Sequence, residues 1–224
     1  MNKKLVFVHT VPSVVDLFTR LAAEIFPADV ETLHIADEVL LKVVLAQGGL
    51  SPDIFRRVAQ HARAAEAAGA TAVQLTCSSI SPCAEPARAM VGIPVLKIDE
   101  PMVDKALGIG TRIGVAATAP TTLKPTADLV RQRAEVMGKR AEVEPVLCQG
   151  AYAALFGGHP EEHDRIVLAA LAELRARSDV VILAQASMAR VAERIPAEPQ
   201  ATPVLTSPRL AVEYARALLA RAAD

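Results

Sequence analysis

The feature that most constrains this chain is an internal repeat. A shift of 108 positions lays Val181-Ile182-Leu183-Ala184-Gln185-Ala186-Ser187-Met188 over Val73-Gln74-Leu75-Thr76-Cys77-Ser78-Ser79-Ile80, so that Gln185 falls on Cys77 and Ser187 on Ser79. The same shift lays Ile113-Gly114-Val115-Ala116-Ala117-Thr118-Ala119-Pro120-Thr121 over Leu5-Val6-Phe7-Val8-His9-Thr10-Val11-Pro12-Ser13. One further residue of slip aligns Gly157-Gly158 with Gly48-Gly49 and Thr202-Pro203-Val204-Leu205 with Ile93-Pro94-Val95-Leu96. Four matches at nearly one offset mean two similar supersecondary units. In each, short apolar runs alternate with longer helical patterns, the signature of a parallel sheet covered on both faces.

The expected fold is therefore α/β, built as two pseudo-symmetric, flavodoxin-like parallel-sheet lobes with the functional site in the cleft between them. The first lobe is assigned to 1–98 plus 208–224 and the second to 99–207. Strands are expected at Leu5–Val8, Val30–Ile35, the run before Cys77, and Pro94–Ile98, then at Arg112–Ala116, Val143–Leu147, Val180–Ala184 and Val204–Leu205. Helices are expected from Pro12 to Ile25, Glu38 to Ala46 (with Asp37 as N-cap), and Ser51 to near Gly69. Further helices are expected at Glu85–Met90, Pro101–Gly108, Pro120–Met137, Gln149–Phe156, Glu161–Arg177, Ser187–Ile195 and Pro208–Ala222, the last packed back on the first lobe.

Composition narrows the partners. With 224 residues and 52% apolar content, both cores can be filled. A net charge of −1 supplies no field for nucleic acid or an anionic membrane, and two Tyr and five Phe leave little for base stacking. The basic start Met1-Asn2-Lys3-Lys4 precedes an apolar run broken at His9, too short for the core of a signal peptide. No stretch approaches the ~20 apolar residues of a membrane span. Three cysteines, an odd count, form no framework of pairs and fit a reducing cytoplasm. Homo-oligomerisation is left open.

A thiol framed by hydroxyls at a strand-to-helix junction sits where open α/β sheets bind ligands. Cys77 is the candidate catalytic group; the competing reading is a small buried hydrophobe. A helix N-terminus and a cation would lower its pKa, and His9 at the end of the first strand is the candidate cation. His9 could equally be a partly buried, hydrogen-bonded histidine at a strand end. Thr10, Ser13, Ser78, Ser79, Thr118, Thr121 and Ser187 all fall at strand ends or helix starts, where hydroxyls and N–H groups form a carboxylate-sized anion site or simply cap helices.

Two other patterns carry less. His159-Pro160-Glu161-Glu162-His163 matches the H-x-x-E-H zinc string, but Pro160 starts a helix after His159, so no metal is expected. No G-x-G-x-x-G or P-loop pattern is present, so no nucleotide cofactor is expected. Asp99-Glu100 reads as the acidic start of a helix.

Taken together, these segments resemble the aspartate/glutamate/hydantoin racemase family over essentially the whole chain. Thr76-Cys77-Ser78-Ser79 resembles the family's first cysteine motif. Gly114-Val115-Ala116-Ala117-Thr118-Ala119-Pro120-Thr121 resembles its Gly-Val-x-x-Thr-x-x-Thr stretch, and Val181 to Ala189 lies on its second cysteine motif. The resemblance implies a cofactor-independent isomerase of the racemase/epimerase type, with one cysteine per lobe exchanging a proton on a small carboxylate-bearing substrate such as an amino acid or hydantoin derivative. Here the second cysteine is Gln185, which cannot act as acid or base near neutral pH. A single-cysteine decarboxylase or lyase, and a carboxylate-binding protein in which Gln185 donates hydrogen bonds, are the alternatives.

Overall fold

The structure is a computed structural model that describes residues 3–196 and 201–221. Met1-Asn2, at the head of the basic start, and Ala222, the expected end of the last helix, lie outside the described residues. The chain divides into two compact units, Met1–Ile98 with Pro208–Asp224 and Asp99–Ser207.

In the first unit the strands are β1 (Lys3–His9), β2 (Val30–Ala36), β3 (Ala72–Leu75) and β4 (Val95–Leu96). They pair in the order β2-β1-β3-β4, all parallel. The helices are α1 (Val15–Ile25), α2 (Glu38–Gln47), α3 (Pro52–Ala67) and the short α4 (Ala84–Arg88), with 3-10 turns at Pro12–Val14 and Ser78–Cys83.

Alternation along the strands fixes two faces. Val6, Val8, Val73 and Leu75 point into a core with Leu40 and Val44 of α2 and Ile54, Val58 and Ala62 of α3. Phe7 and His9 point the other way, where Phe7 meets Phe18 of α1 at a ring separation of 5.3 Å.

The second unit repeats this plan. Its helices are α5 (Glu100–Ile109), α6 (Pro120–Val136), α7 (Ala151–Phe156), α8 (Pro160–Arg175) and α9 (Ala189–Ala192), and its strands are β5 (Arg112–Ala117), β6 (Glu142–Leu147), β7 (Val180–Leu183) and β8 (Val204–Thr206). The order β6-β5-β7-β8, again all parallel, is that of the first unit. The last helix, α10 (Ser207–Arg221), joins the first unit, where Arg209 pairs with Glu24 of α1 at 2.7 Å.

Gly114 in β5 faces Leu174 of α8 so closely that a Cβ would stand 2.6 Å from its Cγ. Helix and sheet approach there because the side chain is absent.

The helix expected over Glu85–Met90 is α4 (Ala84–Arg88), entered through the 3-10 turn Ser78–Cys83. Pro82 inside it has no N–H to continue an α ladder. The helix expected over Ser187–Ile195 is a 3-10 turn (Ala186–Met188) followed by α9. It closes early with i→i−3 bonds from Arg194 to Val191 and Ile195 to Ala192, as Pro196 disfavours helical backbone before it. Asp37 precedes α2 but makes no side-chain cap. Its carboxylate is taken by Arg57 (2.5 and 3.0 Å) and His61 (2.6 Å) of α3.

Candidate functional site

In the first unit, Thr76 extends β3 by one residue, its N–H donating to Val8 C=O at 3.0 Å. Cys77 is still extended (φ −136°, ψ 121°), and the chain then tightens into the turn Ser78–Cys83, with Ile80 N–H donating to Cys77 C=O at 3.1 Å. This stations the half-buried thiol at the carboxyl end of the sheet, on the face occupied by Val73 and Leu75.

Burial pushes the Cys77 thiol up. Four groups act against that shift: the Thr10 hydroxyl, the Ser79 N–H and hydroxyl, and the Ile80 N–H. None is a cation, and burial prevails, so the expectation of a depressed Cys77 pKa is overturned: the resting group is a thiol. Cys83 and Cys148 are more strongly shut in, burial raising them to about 12 and about 11, with the Cys77 charge adding to the effect on Cys83.

His9 is not the expected cation. It is fully buried, and burial followed by the neighbouring His34 lowers it to about 4. Its Nδ1 meets Thr76 Oγ1 at 2.8 Å and its Nε2 meets His34 Nδ1 at 2.8 Å. The reason is strand alternation: His9 shares a sheet face with Thr76, while Cys77 turns to the opposite face. The first-strand group that acts on the thiol is the next residue, Thr10, whose buried hydroxyl has no other hydrogen-bond partner.

In the second unit the corresponding strand end carries Gln185, extended at φ −126° and ψ 136°. Its Oε1 accepts from the Thr118 N–H at 2.6 Å and from the Thr118 hydroxyl at 3.0 Å. Two donors on one atom settle which end of the amide is oxygen and leave the NH2 free to donate elsewhere.

The remaining hydroxyls divide. Ser78 Oγ and Thr121 Oγ1 are buried without a hydrogen-bond partner. Neither caps a helix: the cap positions are Cys77 and Ala119, and no side-chain cap bond forms at either. Ser79 is buried against the thiol, Ser187 is half-buried in the turn after Gln185, and Ser13 is exposed in the turn Pro12–Val14.

The sequence reading missed His34 and Thr76, although the i, i+2 rule with the registers Phe7↔His34 and Phe7↔Gln74 places both on the face of His9. It also missed Lys97, buried just beyond β4 and paired with Glu85 at 2.7 Å. No local pattern marks a lysine whose partner lies on another element. The H-x-x-E-H string holds no metal geometry: His163 is buried and bonded to Asp164 at 2.8 Å, and no metal-binding cluster occurs among the described residues. Asp164 is also clasped by Arg190 (2.6 Å) of α9 and Arg194 (2.7 Å) of the turn after it, fastening both to α8. Among the described residues no helix is long and apolar enough to cross a membrane.

Two copies of one parallel α/β unit, each with a polar side chain just past its third strand, define a repeated-unit protein that presents side chains at the carboxyl ends of its strands. Comparison with known families gives a match to the Asp/Glu/hydantoin racemase model over residues 13–215. The chain belongs to that family. Comparison with curated protein sequences gives no match.

Among solved structures, glutamate racemase from Francisella tularensis, in complex with D-glutamate, matches with a TM-score of 0.75 at 16% identity, covering 99% of this chain and 82% of that one. Allantoin racemase from Klebsiella pneumoniae matches at 0.67 with 19% identity, covering 98% and 89%. Arylmalonate decarboxylase matches at 0.58 with 16% identity, covering 97% and 92%. At such identities the likeness is one of fold.

Proposed function

We propose that this protein is a cofactor-independent isomerase of the racemase/epimerase type that acts through Cys77 on a small carboxylate-bearing substrate, an amino acid or hydantoin derivative. Its place of work in this reading is the cytoplasm, where the three free cysteines stay reduced. The observation that carries the proposal is the setting of Cys77: a thiol kept protonated by burial and facing four hydrogen-bond donors. To isomerise with one group, the thiol first gives its proton to solvent while the four donors hold the thiolate. The thiolate then takes the substrate's α-proton and, as the thiol so formed, returns it to the other face of the planar carbanion, which restores the thiolate. Thr10, Ser78 and Ser79, with Thr118, Thr121, Gln185 and Ser187, are assigned to the substrate's carboxylate and polar groups. The support is that Ser78 and Thr121 are left with unused buried hydroxyls, that the Thr10 and Ser79 hydroxyls face the thiol, and that the bonds from Thr118 engage only the oxygen of the Gln185 amide. His9 is given no proton-transfer role, and Ser13, exposed, is left out of the set.

One observation favours a second reading. Gln185 supplies a hydrogen-bond donor where the family's second acid/base would stand, so only one group, Cys77, can carry a proton. A decarboxylase needs no more: the C–C bond to the carboxylate breaks, CO2 leaves with no proton abstracted, and the thiol proton goes to the carbanion from one face. The test is incubation in heavy water with single enantiomers of amino acids, hydantoins and allantoin, and with substituted malonates, followed by proton NMR and chiral chromatography. Exchange of the α-hydrogen with inversion, lost in Cys77→Ser, supports the isomerase. CO2 release giving one deuterated enantiomer supports the decarboxylase. Tight binding with neither reaction would replace both by a carboxylate-binding protein.

A further inference from the structure

On the sheet face opposite Cys77, a line of side chains runs from α1 to the end of β3: Thr19, His34, His9 and Thr76. Successive contacts are 3.3 Å (Thr19 Oγ1 to His34 Nε2), 2.8 Å (His34 Nδ1 to His9 Nε2) and 2.8 Å (His9 Nδ1 to Thr76 Oγ1). The rings of His9 and His34 lie 13° from parallel, with Phe7 stacked beside both.

The hydrogen positions follow from the acceptors at the end of the line. Thr76 Oγ1 donates to Val8 C=O at 3.0 Å, since a carbonyl can only accept. Thr76 must then receive the Nδ1–H of His9. His9, neutral, has a bare Nε2 and must receive the Nδ1–H of His34. His34 keeps a bare Nε2 facing Thr19, whose own hydroxyl hydrogen is spent on Val15 C=O at 2.9 Å. The opposite order, in which His34 Nε2–H donates to Thr19 and the Thr76 hydroxyl to His9 Nδ1, would give up the Thr76–Val8 bond instead; the shorter of the two end contacts, 3.0 Å against 3.3 Å, selects the first order.

We propose that His34 is a positioning residue for the Cys77 site: through His9 it fixes the Thr76 hydroxyl, and with it the strand end from which Cys77 projects. The inference rests on the reading of Cys77 as the working thiol. Thr76 is tied to Val8 C=O twice, by its N–H and its hydroxyl, so the last paired residue before Cys77 is held to β1 by both main chain and side chain. Removing the His34 donor strands a buried nitrogen on His9, frees that ring to exchange tautomers and releases the Thr76 hydroxyl. Protonation of His34 at Nε2 leaves this order intact and turns the Thr19 contact into a donated bond. The elements packed on β2 bring Phe7 and His9 from β1 and Thr19 from α1 against His34, and His9 is the titratable one among these contacts. Burial lowers both imidazoles, so the pair is uncharged at neutral pH.

The experiment uses the full chain with 15N-labelled histidine, together with His34→Asn, which keeps an N–H in place of Nδ1–H, and His34→Leu, which does not. NMR at pH 7 should show His9 and His34 as neutral Nδ1–H tautomers in the wild type, and His9 unchanged in His34→Asn. Iodoacetamide labelling of Cys77, read by peptide mass, should change about fivefold in His34→Leu, the kinetic equivalent of one hydrogen bond, and stay within about twofold in His34→Asn. A wild-type His9 carrying its hydrogen on Nε2 overturns the proposal even where His34→Leu fails to fold. Equal labelling rates in wild type and a folded His34→Leu overturn it as well. Neither readout involves turnover, so failure of the isomerase reading and failure of this one are separately visible.

Discussion

Thr118 stands to Gln185 as Thr10 stands to Cys77: in each unit a threonine just past the first strand presents its hydroxyl to the residue just past the third. In the second unit the relation is drawn tight, with the Thr118 N–H reaching Gln185 Oε1 at 2.6 Å as well. The repeat thus preserves a local geometry while exchanging the group it holds, a thiol in one unit and an amide in the other.

The Thr118–Gln185 pair is testable through stability. Thr118 is only 6% exposed, so Gln185→Leu leaves its N–H and hydroxyl without their acceptor and should cost about 1–2 kcal/mol. Gln185→Glu keeps an acceptor oxygen and should stay within about 0.5 kcal/mol of the wild type. Urea denaturation of the three proteins measures both, and a neutral Gln185→Leu would show that the bond is not made.

Labelling of Cys77 by iodoacetamide should follow a titration whose midpoint lies above the ordinary thiol value of about 8.5, with slow reaction at pH 7 and a steep rise beyond pH 9. Cys77 should still react before Cys83 and Cys148, because it is half-buried whereas they are 0% and 2% exposed and are held at about 12 and about 11 by burial. Peptide mass spectrometry across pH reads all three. A plateau already reached at pH 7 would mean that the thiolate is the resting form.

His9 makes the fold sensitive to acid. Its folded pKa, about 4, lies below the unfolded value near 6.5, so the unfolded chain binds the proton more tightly. The stability it confers is complete above pH 6.5 and is lost as pH falls toward 4, to an extent of up to about 3 kcal/mol. His9→Gln should flatten the decline between pH 6.5 and 4 in urea midpoints measured at each pH. An unchanged slope would mean that His9 titrates alike in both states.

Asp164→Asn should lower stability by about 1–3 kcal/mol, because a buried carboxylate then no longer answers Arg190, Arg194 and His163. The loss should vary little between 0.05 and 0.5 M salt, as a group only 2% exposed is poorly screened. Denaturation at the two salt concentrations provides the check.

The two units, the parallel order within each and the station of Cys77 were legible because they rest on periodicity and on a repeat, both properties of the chain itself. The partner of His9 was not. Naming it required the strand order β2-β1-β3-β4 together with the face of each residue. Alternation from Phe7 to His9, and from Gln74 to Thr76, already sets His9 beside Thr76 and away from Cys77, but only once β1 and β3 are known to be neighbours. The pKa of Cys77 was misjudged for a related reason. A turn rich in hydroxyls suggests a polar setting, whereas the sulfur packs on the apolar side of the sheet, against the core formed with α2 and α3.

The burial that keeps Cys77 protonated also bears on how long the protein survives chemically. Peroxides attack thiolates far faster than thiols, so a sulfur that holds its hydrogen at rest is slow to climb to sulfenic and sulfinic acids. The same apolar packing that shapes the strand end therefore serves as the residue's protection against oxidants, with no second cysteine needed to restore it.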